Sequence, residues 1–338
     1  MNSELELYVH IPFCVRKCSY CDFVSFAGKE DLFEPYVKAL CEEIRRTAAE
    51  FPGRRISSVY IGGGTPSILG EDQLRRIVQA LRTSFSVSGI REKRRGLFLQ
   101  KKIRPSVEFS MECNPGTVDR SKLETCRKLG INRLSIGLQS SDDRDLQILG
   151  RIHTYADFVH SFEAAREAGF DNINVDLMQA IPEQSMKWWK RVLATIGTWK
   201  PEHISAYSLI VEEGTKFGQL QKAGWLSLPE EETEREMYAY TRWFLEKAGY
   251  QRYEISNYAI PGYECRHNIG YWKRREYLGL GLNASSQIGS MRWKNTANLD
   301  AYLRCFSDTL KDQAGLSGSH VREEVENLSI RDQMEEFL

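Results

Sequence analysis

Short apolar runs alternate with amphipathic helical stretches from about residue 5 to residue 210, and this alternation constrains the fold more than any other feature. Helical stretches separate the apolar runs, and six β-α units indicate a parallel sheet covered by helices. An open or partial barrel fits this count better than a closed eight-fold barrel. The predicted strands are Leu7–Pro12, Ser58–Ile61, Ser106–Met111, Arg133–Leu138, Ile173–Met178 and Ile204–Leu209. The predicted helices are Phe33–Glu50, Glu71–Phe85, Arg120–Leu129, Tyr155–Ala168 and Ser185–Thr198.

The pattern changes after Glu212, which suggests a second structural region. A charged helix is predicted at about Pro229–Ala248, and a Tyr- and Gly-rich stretch follows it from Tyr250 to Trp293. We interpret residues 1–215 as a partial α/β barrel, residues 216–300 as a smaller α+β cap, and residues 301–338 as the start of a C-terminal helical region. Because the last helical stretch stops on two large apolar residues, we expect the C-terminal helical domain to be truncated.

Composition excludes several classes of protein. The formal net charge is +0, so no global field favours nucleic acid or an anionic membrane. No signal peptide is visible at the N-terminus, and no apolar run approaches the roughly 18 residues of a membrane span. The 8 cysteines then predict a reducing, cytoplasmic location. One basic segment, Gly89–Arg104, could bind anions or RNA, but a solvated loop is the favoured interpretation.

Cys14, Cys18 and Cys21 form a C-x3-C-x2-C motif within one short loop. A [4Fe–4S] cluster has four irons and normally takes four cysteines. With three cysteines one iron is left open, and it can bind the amino and carboxylate groups of S-adenosylmethionine and pass an electron to its sulfonium. A structural zinc site is the alternative, but zinc requires four ligands and no second cysteine pair is present. The motif therefore predicts an open-iron cluster.

Polar residues and glycines follow the predicted strands, where parallel α/β folds place their sites. The segment Gly62-Gly63-Gly64-Thr65-Pro66 follows the second strand, and successive glycines let the backbone approach a ligand closely. Four further polar side chains could form a ligand-holding ring at the same edge. They are Glu112, Gln139, Arg151 and Asp176.

A second cluster of chemically informative residues extends from Cys265 to Trp272 and contains Arg266, His267 and Tyr271. His and Cys are common ligands of haem iron, and arginine pairs with carboxylates such as propionates. A hydrogen-bonded turn with buried aromatic rings is the alternative, and the residues alone favour that alternative.

Several motifs together resemble the radical S-adenosylmethionine proteins of the oxygen-independent coproporphyrinogen oxidase superfamily, over roughly residues 5–300. Within it, His267-Asn268-x-x-Tyr271-Trp272 is similar to the haem chaperone family, HemW. The other motifs are Tyr8-Val9-His10-Ile11-Pro12-Phe13-Cys14, Gly62-Gly63-Gly64-Thr65-Pro66, Asn114-Pro115-Gly116-Thr117, Ser135-Ile136-Gly137-Leu138-Gln139-Ser140 and Leu149-Gly150-Arg151-Ile152-His153.

The resemblance implies a partial (β/α)6 barrel, a cluster held by Cys14, Cys18 and Cys21, and haem binding near His267. It also implies a set of S-adenosylmethionine-binding residues. These are Tyr8, Tyr20, Gly63, Gly64, Thr65, Glu112, Gln139, Arg151 and Asp176.

Two features favour a chaperone over an oxidase. The oxidases usually carry a further cysteine two residues after the third, where this chain has Phe23, and they have a longer N-terminal arm. Ser285 stands where the family usually has histidine, which leaves any role of that segment in doubt. The expected partners are haem and an unidentified haem-acceptor protein, with no nucleic acid and at most transient contact with a membrane surface. The alternative is a radical enzyme that acts on a porphyrin.

Overall fold

A computed structural model describes residues 4–85, 87, 105–306 and 321–335 of the chain. The basic segment Gly89–Arg104, interpreted above as a solvated loop, lies outside the described residues. Residues 307–320 and 336–338 of the predicted C-terminal region also lie outside them, and the truncation of this region stays an expectation.

The strands belong to one large sheet and one small two-stranded sheet. In chain order they are β1 (Glu4–Ile11), β2 (Phe13–Cys14), β3 (Phe26–Ala27), β4 (Arg55–Gly63), β5 (Glu108–Cys113), β6 (Arg133–Gln139), β7 (Ile173–Gln179), β8 (His203–Ser208), β9 (Gln251–Arg252), β10 (Asn257–Ala259), β11 (Tyr277–Leu280), β12 (Ser285–Ile288), β13 (Met291–Asn295) and β14 (Arg322–Asn327).

The helices follow most of the parallel strands and pack against the sheet. They are α1 (Phe33–Glu50), α2 (Glu71–Ser84), α3 (Arg120–Lys128), α4 (Asp143–Ile148), α5 (Tyr155–Glu167), α6 (Met186–Trp199), α7 (Lys216–Lys222), α8 (Glu231–Lys247), α9 (Arg266–Trp272), α10 (Leu299–Cys305) and α11 (Ile330–Glu335).

Strands β1, β4, β5, β6, β7 and β8 are parallel and lie side by side in chain order. This arrangement confirms the predicted partial (β/α)6 barrel. The large sheet has the order β14-β13-β12-β11-β1-β4-β5-β6-β7-β8-β10-β9. Because β11 also runs parallel to β1, the sheet has a seventh parallel strand that the apolar runs did not predict.

The segment predicted as a cap contributes strands to both edges of the central sheet. Strand β10 pairs antiparallel with β8 at one edge, and β11 to β13 extend the other edge beyond β1. Strand bounds depend on such pairings as well as on local sequence. The division of the chain into a barrel, a cap and a C-terminal region stays a prediction. No helix within residues 4–85, 105–306 or 321–335 has both the length and the apolar character needed to cross a bilayer.

Local sequence accounts for where several helices begin and end. The Asp119 side chain accepts a hydrogen bond from the backbone N–H of Lys122 at the start of α3, and Thr154 and Asp157 form a capping box at the start of α5. Gly169, with a φ of 87°, follows α5 in the left-handed conformation that ends many helices. These signals explain why the five predicted helices of the barrel are all present, with ends within two residues of the predicted positions.

Side chains alternate along the parallel strands between an apolar and a polar face. The apolar positions, such as Leu7 and Val9 of β1, are fully buried in the main core, together with residues of the surrounding helices. The intervening polar positions hydrogen-bond to one another across neighbouring strands, as in the bond from Tyr60 of β4 to Glu112 of β5. The barrel interior is therefore lined by polar and aromatic side chains, which is the surface that a polar ligand requires.

Candidate functional site

The cysteine loop begins directly after β1, at the carboxyl end of the parallel strands. Cys14 lies in β2, which pairs with β3 and so closes the loop that also carries Cys18 and Cys21. Backbone hydrogen bonds attach this loop to the end of β4, because the N–H groups of Gly64 and Thr65 donate to carbonyls of the chain between residues 11 and 13, at 2.9 and 2.7 Å. The first βα connection and the glycine segment are thus one structural unit.

A chain of side-chain hydrogen bonds joins two of the three cysteines. The Thr65 hydroxyl donates to Cys14 Sγ at 3.5 Å and accepts a hydrogen bond from Asn114 Nδ2 at 2.9 Å. Arg151 donates to Asn114 Oδ1 at 2.7 Å and to Cys18 Sγ at 3.4 Å. Each sulfur therefore has a donor that would stabilise a thiolate, and Asn114 holds both donors in place.

The donor set suits a multi-iron cluster better than a single metal ion. Within the described part of the chain, no three Cys, His, Asp or Glu side chains converge on a site for one ion, and the three cysteines are no exception. A zinc ion needs all its ligands around one centre, whereas in a [4Fe–4S] cluster each cysteine binds its own iron. Burial raises the pKa of Cys14, and it raises the pKa of Cys21 to about 11. Metal binding would offset this cost because the thiolate is the ligand form.

The glycine segment lies so close to its neighbours that side chains would collide. A Cβ at Gly63 would overlap the ring of His10, and a Cβ at Gly64 would lie 2.6 Å from the backbone oxygen of Phe13. Gly63 also has a φ of 109°, which other residues rarely adopt. Glycine is required here because the cysteine loop, β1 and β4 converge, and the convergence brings the segment beside the loop as the sequence predicted.

Two carboxylates face the barrel interior near this segment. Glu112 accepts hydrogen bonds from the Tyr60 hydroxyl at 2.9 Å and from the backbone N–H of Gly63 at 3.0 Å. Asp176 accepts hydrogen bonds from the side chains of its neighbours on β6 and β7. Burial, followed by the charge of Asp176, raises the pKa of Glu112 to about 7. These two carboxyl groups can accept hydrogen bonds from an ammonium or hydroxyl-bearing ligand.

Gln139 ends β6 in a strained conformation. Its φ is 75°, which is unusual for a residue other than glycine, and the pairing of β6 with β7 is irregular between Ile136 and Gln139. The Gln139 side chain accepts a hydrogen bond from the Tyr207 hydroxyl at 2.7 Å. The irregular strand end turns this amide toward the barrel interior, so the structure brings Gln139 to the same region as Glu112 and Asp176.

Arg151 has an unused donor although it is largely buried. Its Nη atoms bond to Cys18, Asn114 and the backbone oxygen of Gly137, while Nε is buried without a hydrogen-bond partner. Such a donor is costly unless a further acceptor binds it. Tyr20 lies beside Arg151, and burial raises its pKa well above the usual value. This unpartnered donor next to Cys18 fits a carboxylate-bearing ligand, as S-adenosylmethionine is.

Tyr8 and His10 occupy successive interior positions of β1. The Tyr8 hydroxyl and His10 Nδ1 are 3.0 Å apart, and His10 Nε2 is 3.0 Å from the backbone oxygen of Val24 in the cysteine loop. Burial lowers the pKa of His10, so its ring is neutral at pH 7. His10 therefore packs under the loop and hydrogen-bonds to it, while Tyr8 lies deeper in the barrel.

His267 lies at the opposite, amino-terminal end of the barrel strands. It belongs to α9 and is 1% exposed, and its ring nitrogens are 2.9 Å from Ser58 Oγ and 3.0 Å from the Tyr271 hydroxyl. Cys265 is 0% exposed and donates to Glu108. The structure thus does not bring the predicted haem residues to the cysteine loop, and haem binding at His267 stays a prediction.

Sequence reasoning missed two residues of the site, Asn114 and Tyr60. Asn114 was noted only as part of a family motif, although it bridges the donors to two cysteines. Tyr60 lies within β4, two positions before the glycine segment, and its hydroxyl orients Glu112. The signal for Tyr60 was its alternation with apolar neighbours, which assigns it to the polar face of the strand.

A cavity of about 450 Å³ lies away from this site, between the ends of α1, α2 and β4. Its lining includes Phe51, Arg54 and Phe85. None of the cysteines or interior carboxylates described above lines it, so it has no place in the cluster chemistry. A smaller crevice beside Cys18, lined also by Asn114 and Arg151, is part of the site.

Comparison with known proteins gives a consistent result. Residues 8–196 match the model of the radical SAM superfamily. The chain is 37% identical to the haem chaperone HemW of Bacillus subtilis, over 88% of this chain and 74% of the relative. It is 34% identical to the haem chaperone HemW of Lactococcus lactis, over 97% of this chain and 79% of that one. The solved structure of coproporphyrinogen III oxidase HemN from Escherichia coli is similar in fold, with a TM-score of 0.80, 24% identity, and coverage of 98% of this chain and 74% of that chain.

Proposed function

Since the chain belongs to the radical S-adenosylmethionine superfamily and, within it, to the HemW family, we propose that it is a haem chaperone that binds haem and transfers it to acceptor proteins. We also propose that it carries a [4Fe–4S] cluster, with Cys14, Cys18 and Cys21 as the ligands, and an exchangeable S-adenosylmethionine. Haem and its transfer are inferred from the names of the relatives.

One observation carries the cluster part of the proposal. Three cysteines of one loop lie at the carboxyl end of the parallel strands, and Thr65 and Arg151 donate hydrogen bonds to two of them. When bound, the cluster supplies an electron to S-adenosylmethionine through its open iron.

Residues around the loop would hold S-adenosylmethionine at its two charged ends and at its ribose. The unpartnered Nε of Arg151 can bind the carboxylate, and Glu112 and Asp176 can accept hydrogen bonds from the ammonium or the ribose hydroxyls. Gln139 can contribute an amide from the end of β6. The glycine segment allows the ligand to approach the backbone between β4 and the cysteine loop.

Iron analysis and electron paramagnetic resonance test the cluster. Anaerobically reconstituted protein is expected to hold about four irons per chain, and its reduced signal is expected to change when S-adenosylmethionine is added. Cys14→Ala, Cys18→Ala and Cys21→Ala should each abolish the cluster, whereas Cys126→Ala, which alters a fully buried core cysteine on α3, should retain it. Full iron content in the loop variants, or zinc in place of iron, would contradict the proposal.

Haem titration and product analysis test the chaperone against the alternative, a radical enzyme that acts on a porphyrin. We expect saturable one-to-one haem binding with a distinct Soret band, and spectroscopically detected transfer to an apo-haem protein. With dithionite and S-adenosylmethionine, we expect no protoporphyrinogen from coproporphyrinogen III, because Phe23 replaces the additional cysteine of the oxidases. Product above a no-protein control would favour the enzyme.

A further inference from the structure

We propose that α9, the helix that carries the His-Asn-x-x-Tyr-Trp motif, positions the S-adenosylmethionine site through the barrel interior. In this arrangement His267 supports the ring of Tyr60, and Tyr60 orients the carboxylate of Glu112. The inference rests on the proposed function in one respect, because it takes Glu112 to be a contact of S-adenosylmethionine. It assigns His267 a positioning role in place of the role of haem ligand.

The first step is that His267 has no free ring nitrogen. Both ring nitrogens are within hydrogen-bonding distance of hydroxyls, one of Ser58 on β4 and one of Tyr271 on the next turn of α9. Burial and the charge of Arg133 lower the pKa of His267 to about 3, so the ring is neutral. To coordinate iron, this ring would have to leave a hydrogen bond and move out of a site where it is 1% exposed.

The second step is the contact between His267 and Tyr60. The two rings are stacked, with centroids 5.3 Å apart and an interplanar angle of 24°. The Tyr60 hydroxyl donates to Glu112 Oε1 at 2.9 Å. Burial raises the pKa of Tyr60 well above its usual value, so this hydroxyl keeps its proton and remains a donor. A change in the position of His267 is therefore transmitted to Glu112 through one ring and one hydrogen bond.

The third step is that Tyr60 and Glu112 have little freedom to move independently. A Cβ added at Gly62 would lie 2.9 Å from both the Glu112 carboxylate and the Tyr60 ring, so both side chains pass directly over this glycine. The other oxygen of Glu112 accepts the backbone N–H of Gly63 at 3.0 Å. The carboxylate is thus held from the glycine segment on one side and from Tyr60 on the other.

The fourth step is that α9 is itself firmly attached to the barrel. The carboxylate of Glu108 on β5 accepts the first two backbone N–H groups of the helix, from Arg266 at 3.0 Å and from His267 at 3.2 Å. Gly270 packs so closely on Glu6 of β1 that an added Cβ would overlap the carboxylate. Helix α9 is therefore held against the amino-terminal end of the barrel by its contacts with β1 and β5.

The experiment compares S-adenosylmethionine binding by the cluster-loaded 338-residue chain and its variants. Tyr60→Phe keeps the ring and removes the hydroxyl, and His267→Phe keeps an aromatic ring and removes both hydrogen bonds. Tyr250→Phe is the matched control, because it removes a buried hydroxyl whose hydrogen bond goes to the backbone oxygen of Pro201, away from this site. Calorimetric titration gives the dissociation constant, thermal melting checks folding, and haem titration is run in parallel.

The expected result is a dissociation constant for S-adenosylmethionine that is raised about ten-fold in Tyr60→Phe, as for loss of one hydrogen bond to a charged group. In His267→Phe, which keeps the Tyr60 hydroxyl but loses the two hydrogen bonds that fix the ring beside it, the dissociation constant should rise by a smaller factor. It should be unchanged in Tyr250→Phe. The haem affinity and Soret position should equal those of the wild type in all three. If His267→Phe does not fold, Tyr60→Phe still tests the contact with Glu112.

The pH dependence of binding separates a positioning role from a general loss of stability. The hydrogen bond from Tyr60 lowers the pKa of Glu112, while burial and the charge of Asp176 raise it; Tyr8 and Arg133 are the other titratable or charged groups near this carboxyl. Removing the Tyr60 hydroxyl raises this pKa further. The midpoint for S-adenosylmethionine binding should therefore move to higher pH in Tyr60→Phe and stay in place in Tyr250→Phe.

Two results would overturn this inference and leave the proposed function intact. The first is an equal affinity for S-adenosylmethionine in wild type, Tyr60→Phe and His267→Phe. The second is a shifted Soret band in His267→Phe, which would identify that residue as a haem ligand. Failure of the loaded wild type to bind S-adenosylmethionine would overturn this part of the proposed function as well.

Discussion

Asn114 shows how a single residue can control the environment of two ligands at once. Its amide donates to the Thr65 hydroxyl and accepts from Arg151, and these two residues donate to Cys14 and Cys18. An amide is suited to this position because it offers a donor and an acceptor on one planar group. Neither aspartate nor leucine of similar size could satisfy both neighbours.

We expect Asn114→Ala to weaken cluster retention without preventing folding. Groups that orient metal ligands typically contribute 10- to 100-fold to metal affinity, so iron loss to a chelator should be about ten-fold faster than in the wild type. Asn114→Asp should lower the midpoint potential of the cluster, since it adds negative charge beside Arg151. Asn298→Ala, which removes the asparagine that caps α10, is the control. Equal rates of iron loss in both alanine variants would contradict the bridging role.

At the scale of the element, α9 is defined by the contacts of its inner face. The helix has seven residues, too short to be stable alone, and its N-terminus is satisfied by Glu108 rather than by a capping side chain of its own. Gly270 lets the helix approach β1, and Trp272, 55% exposed, faces outward. Tertiary contacts therefore determine that this segment is helical.

Gly270→Ala is expected to lower the free energy of unfolding by about 2 kcal/mol, because the new methyl group overlaps the buried Glu6 carboxylate. Gly197→Ala is a matched control within another helix, where the nearest atom to an added Cβ is a Phe244 ring carbon at 3.4 Å. A helix-interior Gly→Ala change without a clash should be neutral or stabilising. Urea unfolding measures the stability of both variants. Equal unfolding midpoints in the two variants would show that α9 can shift away from β1.

At the scale of the whole molecule, the barrel encloses several ionisable groups that are costly to bury. Glu6 is 1% exposed, neither carboxylate oxygen has a hydrogen-bond partner, and the nearest Arg275 nitrogen is 3.6 Å away. Burial raises the pKa of Glu6 to about 8, with smaller effects from Arg275, Glu108 and Glu4. His267, whose Nδ1 is 3.8 Å from Glu6, and Tyr271 also face this carboxyl.

This pKa predicts that the folded protein loses stability as the pH rises. A carboxyl whose pKa is higher in the folded state than in the unfolded state binds more protons when folded. Its contribution to the free energy of unfolding therefore falls as the pH rises from 4.5 to about 8. For Glu6 alone the loss from pH 6 to pH 8 is about 2 kcal/mol by linkage. Glu6→Gln should reduce this dependence, whereas the exposed change Glu163→Gln should not. Thermal melting at the two pH values measures this pH dependence of stability. An identical change in melting temperature between the two pH values in both variants would contradict the assignment.

Local sequence is sufficient to predict the six parallel β-α units, the five helices between them and the position of the cysteine loop. These features depend on local periodicity, on capping residues such as Thr154 and on spacing between near neighbours, all of which act within a few residues. The placement of polar groups after the strands was also predictable, because parallel strands end at one edge of the sheet. Glu112, Gln139 and Arg151 accordingly lie around that edge, whereas Asp176 lies in the middle of β7.

Which of these groups touch, and where the second motif lies, depends on the tertiary structure. Three contacts join residues that are at least 37 positions apart in the chain: the pairing of β11 with β1, the bridge through Asn114, and the burial of His267 against Ser58. No local pattern encodes such contacts, because they depend on strand order and on how closely a helix packs beneath the sheet. His267 and Tyr60 are therefore neighbours because α9 packs against the amino-terminal ends of the barrel strands.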